Sequence, residues 1–462
     1  MNLKSLRKKK RKNNESFLTH TSTDIEVVWM YWNPSIERMP QKDLQELQER
    51  KLRALVYYAY EYSPFYRRKF KEMGLHPWDV RGLEDLPKLP FTCKQDLRDN
   101  YPFGMFAVPL SQVVRFHASS GTTGKPTVVG YTAKDIEVWV ECMCRSLTAC
   151  GVTNEDIIQI AYGYGLFTGG LGFHYAAERI GATVIPMSAG NTQRQIELMK
   201  DLKTTVICCT PSYMLYLTEY AARMEVDIAN DTKLRMGIFG AEPWSEETRK
   251  RIEKKTSITA YDVYGTSELS GPLFTECVER HGLHIWADHF LIEVIDPETG
   301  EQVGEGERGE LVVTTLSKEA LPLIRWRTGD VTIMETEKCA CGRTHPRILR
   351  ILGRTDDMII VRGVNVFPSQ IEHVLMQIPE VGDHYMIILD RREDGLDEMT
   401  VQVELSDKAK IDRTTDILEL EKIIEEQLRV VLGIRAKIEV VNPGTLQRFE
   451  GKAKRVIDRR KI

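Results

Sequence analysis

Ser119-Ser120-Gly121-Thr122-Thr123-Gly124-Lys125-Pro126 runs straight into a β-rich segment, Thr127 to Tyr131. Its two glycines let the backbone approach a ligand closely, and successive N–H groups in such a loop form an anion-binding nest. Ser119, Ser120, Thr122 and Thr123 add hydroxyls, and Lys125 adds a charged donor for phosphate oxygens. The stretch is not a Walker A loop: only two residues separate the glycines, and Pro126 stands where a Ser or Thr would hold magnesium. A flexible linker would need neither Lys125 nor the strand that follows, so the pattern points to a phosphate-bearing ligand held at the start of a sheet.

Beyond that loop, between about residues 130 and 260, β-like and helical runs alternate. Ile157 to Ile160, Ala182 to Ile185 and Thr205 to Cys208 read as buried strands. Thr192 to Leu202, Tyr213 to Met224 and Ser245 to Lys255 read as helices, and the alternation predicts a parallel or mixed α/β sheet. Upstream, Leu44, Leu47, Leu52, Leu55, Val56 and Ala59 recur at helical spacing and predict one helix from Gln41 to about Gly74. Downstream of Phe290 the texture turns to hairpins: Leu291 to Ile295, a Pro-Glu-Thr-Gly turn, then Gly309 to Val313. From Met358, strands (to Val361, Tyr385 to Leu389, Met399 to Leu405) alternate with helices (Pro368 to Gln377, Ile417 to Leu432) in a segment large enough for a small α+β domain.

The 462 residues carry 42% hydrophobic and 28% charged side chains, ordinary globular values that exclude a disordered or collagen-like chain. Lys plus Arg (63) against Asp plus Glu (67) leaves a net charge of −4, too balanced for a protein built to coat nucleic acid. No apolar run approaches the roughly 18 residues that cross a bilayer, which predicts no membrane association. Nine cysteines without a leading apolar signal fit a reducing, cytoplasmic setting. Residues 1–28, with Lys4, Arg7, Lys8, Lys9, Lys10, Arg11 and Lys12, read as a basic extension.

Four further stretches can carry chemistry. Tyr264-Gly265-Thr266-Ser267-Glu268 sets a carboxylate on a predicted glycine turn, where magnesium could join it to substrate phosphates. Arg325-Trp326-Arg327-Thr328-Gly329-Asp330 places an acid by another predicted turn, available to ribose hydroxyls or to an arginine. Gly353-Arg354-Thr355-Asp356-Asp357 falls where the composition changes, as a hinge would. Cys339-Ala340-Cys341-Gly342 is a tight thiol pair, and Cys277 with His281, His284 and His289 lies upstream. Cys277, His284, Cys339 and Cys341 would complete a closed tetrahedral zinc site, while free thiols are the other reading. Cys142, Cys144, Cys150, Cys208 and Cys209 sit among apolar residues and read as core.

Taken in order, these segments resemble the adenylate-forming acyl-CoA synthetase superfamily, and within it the phenylacetate–CoA ligase family. Tyr31-Trp32-Asn33-Pro34, Ser63-Pro64-Phe65-Tyr66-Arg67-Arg68-Lys69-Phe70, Tyr164 to Gly170, Gly353 to Pro368 and Gly451-Lys452-Ala453-Lys454-Arg455-Val456 carry the likeness beside the Ser119 loop. The resemblance implies a large N-terminal domain of α/β layers with a β-barrel part, here 29–354, and a small mobile C-terminal lid, here 355–462. It implies that Ser119, Ser120, Gly121, Thr122, Thr123, Gly124 and Lys125 cover the phosphates of ATP. Gly240, Ala241 and Glu242 with Tyr264, Gly265 and Thr266 would flank the adenine, and Glu268 would ligate magnesium. Asp330 would take the ribose hydroxyls with Arg354 nearby, Asp356 would be the hinge, and Lys452 would be the catalytic lysine of the lid. Gly363 would line the path of the pantetheine arm of coenzyme A, and Tyr164 and Phe167 would bound an aryl-acid pocket.

The implied reaction is activation of an aryl acid, phenylacetate or a close relative, to an acyl-adenylate, followed by thioester formation with coenzyme A. An adenylation-only relative that modifies a cofactor or loads a carrier protein is the alternative within the superfamily. A non-catalytic nucleotide sensor is the alternative outside it. The expected partners are small molecules, with neither nucleic acid nor membrane, and a homodimer stays open beside a single chain.

Overall fold

The computed structural model describes residues 31–119, 127–355, 359–362, 364–392, 396–406, 409 and 414–460. The basic block of the first 28 residues, Ser120 to Pro126, Asp356 and Gly363 lie outside the described residues.

Helix α1 (Gln41–Tyr62) buries Leu44, Leu52, Leu55, Val56 and Ala59, the stripe that its spacing predicts. It does not run on to Gly74. Ser63 is extended, at φ −101° and ψ 115°, because Pro64 excludes its predecessor from the helical region, and a second helix restarts at Pro64–Glu72.

A hairpin-like pair, β1 (Arg115–Ser119) and β2 (Thr127–Tyr131), runs antiparallel with Ser119 opposite Thr127. Then β3 (Ile157–Ile160), β4 (Thr183–Ile185), β5 (Val206–Cys209), β6 (Met236–Gly240) and β7 (Thr259–Thr266) form a parallel block in the order β4-β3-β5-β6-β7. Helix α2 (Ala133–Ala149) leads into the block, and α3 (Gly169–Ile180), α4 (Thr192–Asp201), α5 (Pro211–Arg223) and α6 (Glu246–Thr256) supply the crossovers that parallel pairing requires. Every residue of β5 and β6 is buried, as expected of strands covered on both faces. β7 continues into antiparallel β8 (Gly271–Thr275) and β9 (Leu283–His284). The sheet then extends through β10 (Phe290–Ile295), β11 (Arg308–Thr315), β12 (Trp326–Glu335), β13 (Arg347–Ile348) and β14 (Gly353–Arg354). The β-rich stretch expected as a barrel part is this antiparallel half, and its strands pair in one path with the parallel half.

Two expected turns are strand instead. β7 runs through Tyr264, Gly265 and Thr266, with a register shift between Tyr264 and Gly265, and the chain turns only at Ser267–Leu269. Thr328, Gly329 and Asp330 likewise sit inside β12, where Gly329 takes φ +76°. A glycine in a strand marks a bulge or a close approach as readily as a turn. At Gly265 it is the approach: a Cβ there would lie 1.7 Å from the Gly271 carbonyl oxygen.

The smaller C-terminal part has its own four-stranded sheet, ordered β19 (Lys437–Val441), β18 (Asp397–Leu405), β17 (Val381–Arg391), β20 (Val456–Asp458). With the short pair β15 (Ile359–Val361) and β16 (Val364–Val366), and helices α7 (Pro368–Gln377) and α8 (Thr414–Leu432), it buries a core of its own. Its contact with the large part is polar. Arg251 of α6 donates to the carbonyls of Met376 (2.8 Å), Ile378 (3.1 Å) and Val381 (2.9 Å). Glu372 of α7 accepts from the Ser245 amide (3.1 Å) and the Thr248 hydroxyl (2.8 Å). No described helix is long and apolar enough to cross a membrane.

Candidate functional site

Ser119 ends β1 opposite Thr127 at the start of β2, and the Ala118 amide donates to the Leu166 carbonyl (3.0 Å). That bond joins the β1–β2 pair to the Tyr162–Phe173 segment. There Tyr164 is half-buried, its hydroxyl 3.2 Å from His174 Nδ1, and Phe167 is 46% exposed. The two rings are therefore not ordinary core. A Cβ at Gly163 or Gly165 would meet open space.

Glu268 is buried at the turn after β7, with Thr127 Oγ1 3.4 Å from its Oε1. Thr266 Oγ1 is buried beside it and has no partner among the described residues. A carboxylate and a free hydroxyl oxygen are the hard donors that magnesium takes, with the rest of its shell from water and phosphate, so the residues fit that ion. The turn itself is pinned from below: Tyr131 donates to the Ser267 carbonyl (2.6 Å) and Lys318 to the Glu268 carbonyl (2.6 Å).

Lys318 was invisible in the sequence, one lysine in Leu316-Ser317-Lys318-Glu319. It is buried, 4.6 Å above the Tyr131 ring, and burial pushes its ammonium down to about 8, against the pull of Asp135 and Glu268. Above pH 8 the folded protein releases a proton that the unfolded chain keeps up to about 10.4, so stability from this group rises with pH across that window. A Lys318→Met variant should show a flatter stability profile between pH 8 and 10. Unchanged slopes in chemical denaturation at pH 8, 9 and 10 would refute it.

Asp330 is buried in β12. Its Oδ2 accepts from Tyr264 (2.6 Å), its Oδ1 from Arg354, and Arg354 also reaches the Thr328 carbonyl (3.2 Å). The acid thus pairs with an arginine and a tyrosine. Gly240 ends β6 where a Cβ would lie 2.1 Å from the Val263 carbonyl. Ala241 next to it is exposed and holds φ +70°, a conformation costly for a residue with a Cβ and common at ligand sites.

Glu242 does not turn its carboxylate outward. Oε1 accepts from the Ser212 amide (2.8 Å) and Oε2 from the amide of Ala453 (2.9 Å), the residue after Lys452. Burial pushes its carboxyl up, opposed by those bonds and by Arg455. Lys452 itself is exposed. Four residues earlier, Arg448 bridges Glu219 of α5 (3.2 Å) and Glu404 of β18 (2.7 Å). Ser119, Glu242, Glu268, Asp330 and Lys452 thus gather at the carboxyl ends of β5, β6 and β7, the edge where open α/β sheets place ligands.

Away from these strand ends, Cys277, His284, Cys339 and Cys341 come together, all buried, their ligand atoms within 4.8 Å of one another. Cys277 Sγ and Cys339 Sγ are 3.7 Å apart, and Cys341 Sγ is 3.5 Å from His284 Nε2. Thiolates about 2.3 Å from one tetrahedral centre sit about 3.8 Å apart, and an imidazole nitrogen at about 2.05 Å sits about 3.5 Å from such a sulfur. Both edges match, and a disulfide, with sulfurs about 2.05 Å apart, does not. His281 and His289 are elsewhere, pairing with Glu335 (3.2 Å) and Asp288 (3.1 Å). The cluster also anchors the first described segment: Tyr31 donates to the Cys341 carbonyl, and Arg343 joins Cys341 Sγ (3.6 Å) to Glu37 (2.7 Å).

The fold and the comparisons together define an adenylate-forming enzyme. The AMP-binding enzyme family matches residues 107–317, and the AMP-binding enzyme C-terminal domain matches 363–460. The phenylacetate–coenzyme A ligase of Thermus thermophilus is 49% identical over 447 residues, 94% of this chain and 100% of that one. The Escherichia coli enzyme of that name is 49% identical over 429 residues, 92% of this chain and 97% of its own. A 2-hydroxyisobutyryl-CoA ligase in the post-adenylation state, with 2-HIB-AMP bound, superposes with a TM-score of 0.87 at 32% identity, covering 93% of this chain and 92% of that one. The same ligase in the thioesterification state, with 2-HIB-AMP and CoA, gives 0.69 at 32% identity over 94% of this chain and 93% of that one. The whole chain therefore superposes more closely on the former. The chain belongs to the phenylacetate–coenzyme A ligase family of acid–thiol ligases.

Proposed function

We propose that this chain activates phenylacetate, or a close aryl acid, with ATP and transfers the acyl group to coenzyme A, releasing AMP and pyrophosphate. The observation that carries this reading is the docking of the Lys452 segment, through Ala453, onto Glu242 at the same strand ends as Glu268 and Asp330.

In the first half-reaction a carboxylate oxygen of the acid bonds to the α-phosphorus of ATP as the bond to pyrophosphate breaks. Both reactants are anions, so the protein lowers the barrier by neutralising charge and by alignment rather than with a nucleophile of its own. Lys452 supplies the charge between acyl oxygen and α-phosphate. Ser119 to Lys125 hold the outgoing phosphates, Asp330 the ribose, and Ala241 and Tyr264 flank the base. Magnesium, when bound, neutralises phosphate charge, with Glu268 and Thr266 as its protein donors. In the second half-reaction the coenzyme A thiol, losing its proton, attacks the acyl carbonyl and AMP leaves. Here 29–354 is the large domain and 355–462 the lid, which turns at Asp356 and brings Gly363 to the pantetheine arm. Cys277, His284, Cys339 and Cys341 hold a structural zinc ion that plays no part in the reaction.

Incubation with ATP, magnesium, coenzyme A and a panel of acids led by phenylacetate tests this directly. AMP together with phenylacetyl-CoA is the expected outcome. Pyrophosphate exchange without thioester would replace it with the adenylation-only reading, and no turnover of any aryl acid would remove the substrate.

A further inference from the structure

Lys452 is held by its neighbours in the chain. The Gly451 carbonyl, just before it, accepts from Thr210 Oγ1 (3.2 Å), and the Ala453 amide, just after it, donates to Glu242 Oε2 (2.9 Å). One residue further back, Glu450 Oε1 accepts from Thr192 Oγ1 (2.8 Å). Two side chains of the large part therefore hold the backbone on either side of Lys452, and a third holds the Glu450 side chain. Thr210 can do this while capping α5, because its single hydroxyl hydrogen goes to Gly451 and its lone pair takes the Tyr213 amide (3.2 Å). Glu242 is anchored in turn by the Ser212 amide, the second residue of the same helix (2.8 Å). No residue from 450 to 455 belongs to a hydrophobic core, so hydrogen bonds and not apolar packing set this loop. Such bonds exchange with water at little net cost, which suits a contact that must be made and released in each turnover.

We propose that Thr210 and Glu242 are positioning residues for the adenylation half-reaction: they clamp Gly451 and Ala453 so that Lys452 is aimed at the acyl-phosphate junction, and they let go when the thioester is formed. The inference deepens the proposed function and rests on its assignment of Lys452. A misplacement of about 1 Å in a catalytic group costs on the order of 10²-fold, so losing one side of the clamp should be visible in rate rather than in folding.

The experiment measures the two half-reactions separately: ATP–pyrophosphate exchange with phenylacetate, and phenylacetyl-CoA formation from supplied phenylacetyl-adenylate. Thr210→Val removes the donor, and Glu242→Gln leaves one of two facing N–H groups opposite an amide NH2. Each should lower exchange on the order of 10–10²-fold while thioester formation stays within about twofold. For Thr210→Val the ATP KM should hold, and Thr210→Ser should recover most of the rate. In a Lys452→Ala background Thr210→Val should add nothing, because the clamp acts only through the lysine. Equal loss in both half-reactions, or a further loss in the Lys452→Ala background, would overturn the clamp. Loss in Lys452→Ala with normal exchange in both clamp variants would overturn it too, leaving the lysine assignment intact. Undiminished exchange by Lys452→Ala would instead remove the assignment on which the clamp rests.

Discussion

Replacing Lys452 with alanine should slow acyl-adenylate formation by about 10²–10³-fold, the range found when one preorganised stabiliser of transition-state charge is removed. The physical case is that a carboxylate and a triphosphate repel each other, and negative charge on the oxygens between them does not disperse until pyrophosphate departs. Lys452 is exposed, with no carboxylate partner among the described residues. It is also the residue whose two flanking peptide groups are bound by the large part. The loss should fall on kcat for exchange with little change in the ATP KM, since the lysine serves the reacting centre and not the base or ribose. Pyrophosphate exchange under saturating ATP checks this, and an alanine variant within threefold of wild type would dismiss the role.

Protein purified without chelator should carry about one zinc per chain, and Cys277→Ser should lose it. Four buried ligands around one centre leave three unpaired donors when one is removed, which places the variant in the class of large destabilisations. Cys277, Cys339 and Cys341 are almost fully buried, and the cluster also carries Tyr31, Arg343 and Glu37, so its loss should loosen the segment from Tyr31 to Glu37 as well. A fall in the thermal midpoint on the order of 10 °C is expected. Cys142→Ser, in the core of α2, should keep its zinc. Metal analysis with calorimetry decides between the readings. Under a fifth of an equivalent of zinc, with nine titratable thiols and no chelator effect, would leave free cysteines.

Much of this molecule was legible before any coordinates. Period-2 and period-3.6 patterning is set by local backbone geometry, which is why Pro368–Gln377 falls where it was expected and Phe290–Ile295 within a residue of it. The errors were also local. Pro64 cut a helix that periodicity alone would have continued, and Gly265 and Gly329 were read as turns because a glycine in a strand looks the same in a sequence as a glycine in a bend. The Tyr164 segment, Glu268 and Asp330 stand out in the sequence because each lies in a short stretch whose residue types suit the task expected of it.

Residue types and their spacing thus determined the α/β class, the smaller C-terminal part and the cysteine pair. Tertiary structure alone decided which histidine joins those thiols, that Lys318 underlies Glu268, and that Glu242 faces the lid loop. It alone set Thr210 opposite Gly451, 241 residues away in the chain. The reason is physical. A helix or strand is specified by neighbours a few residues apart, whereas the meeting of Thr210 with Gly451 depends on strand order in two sheets and on how the second sheet is docked on the first.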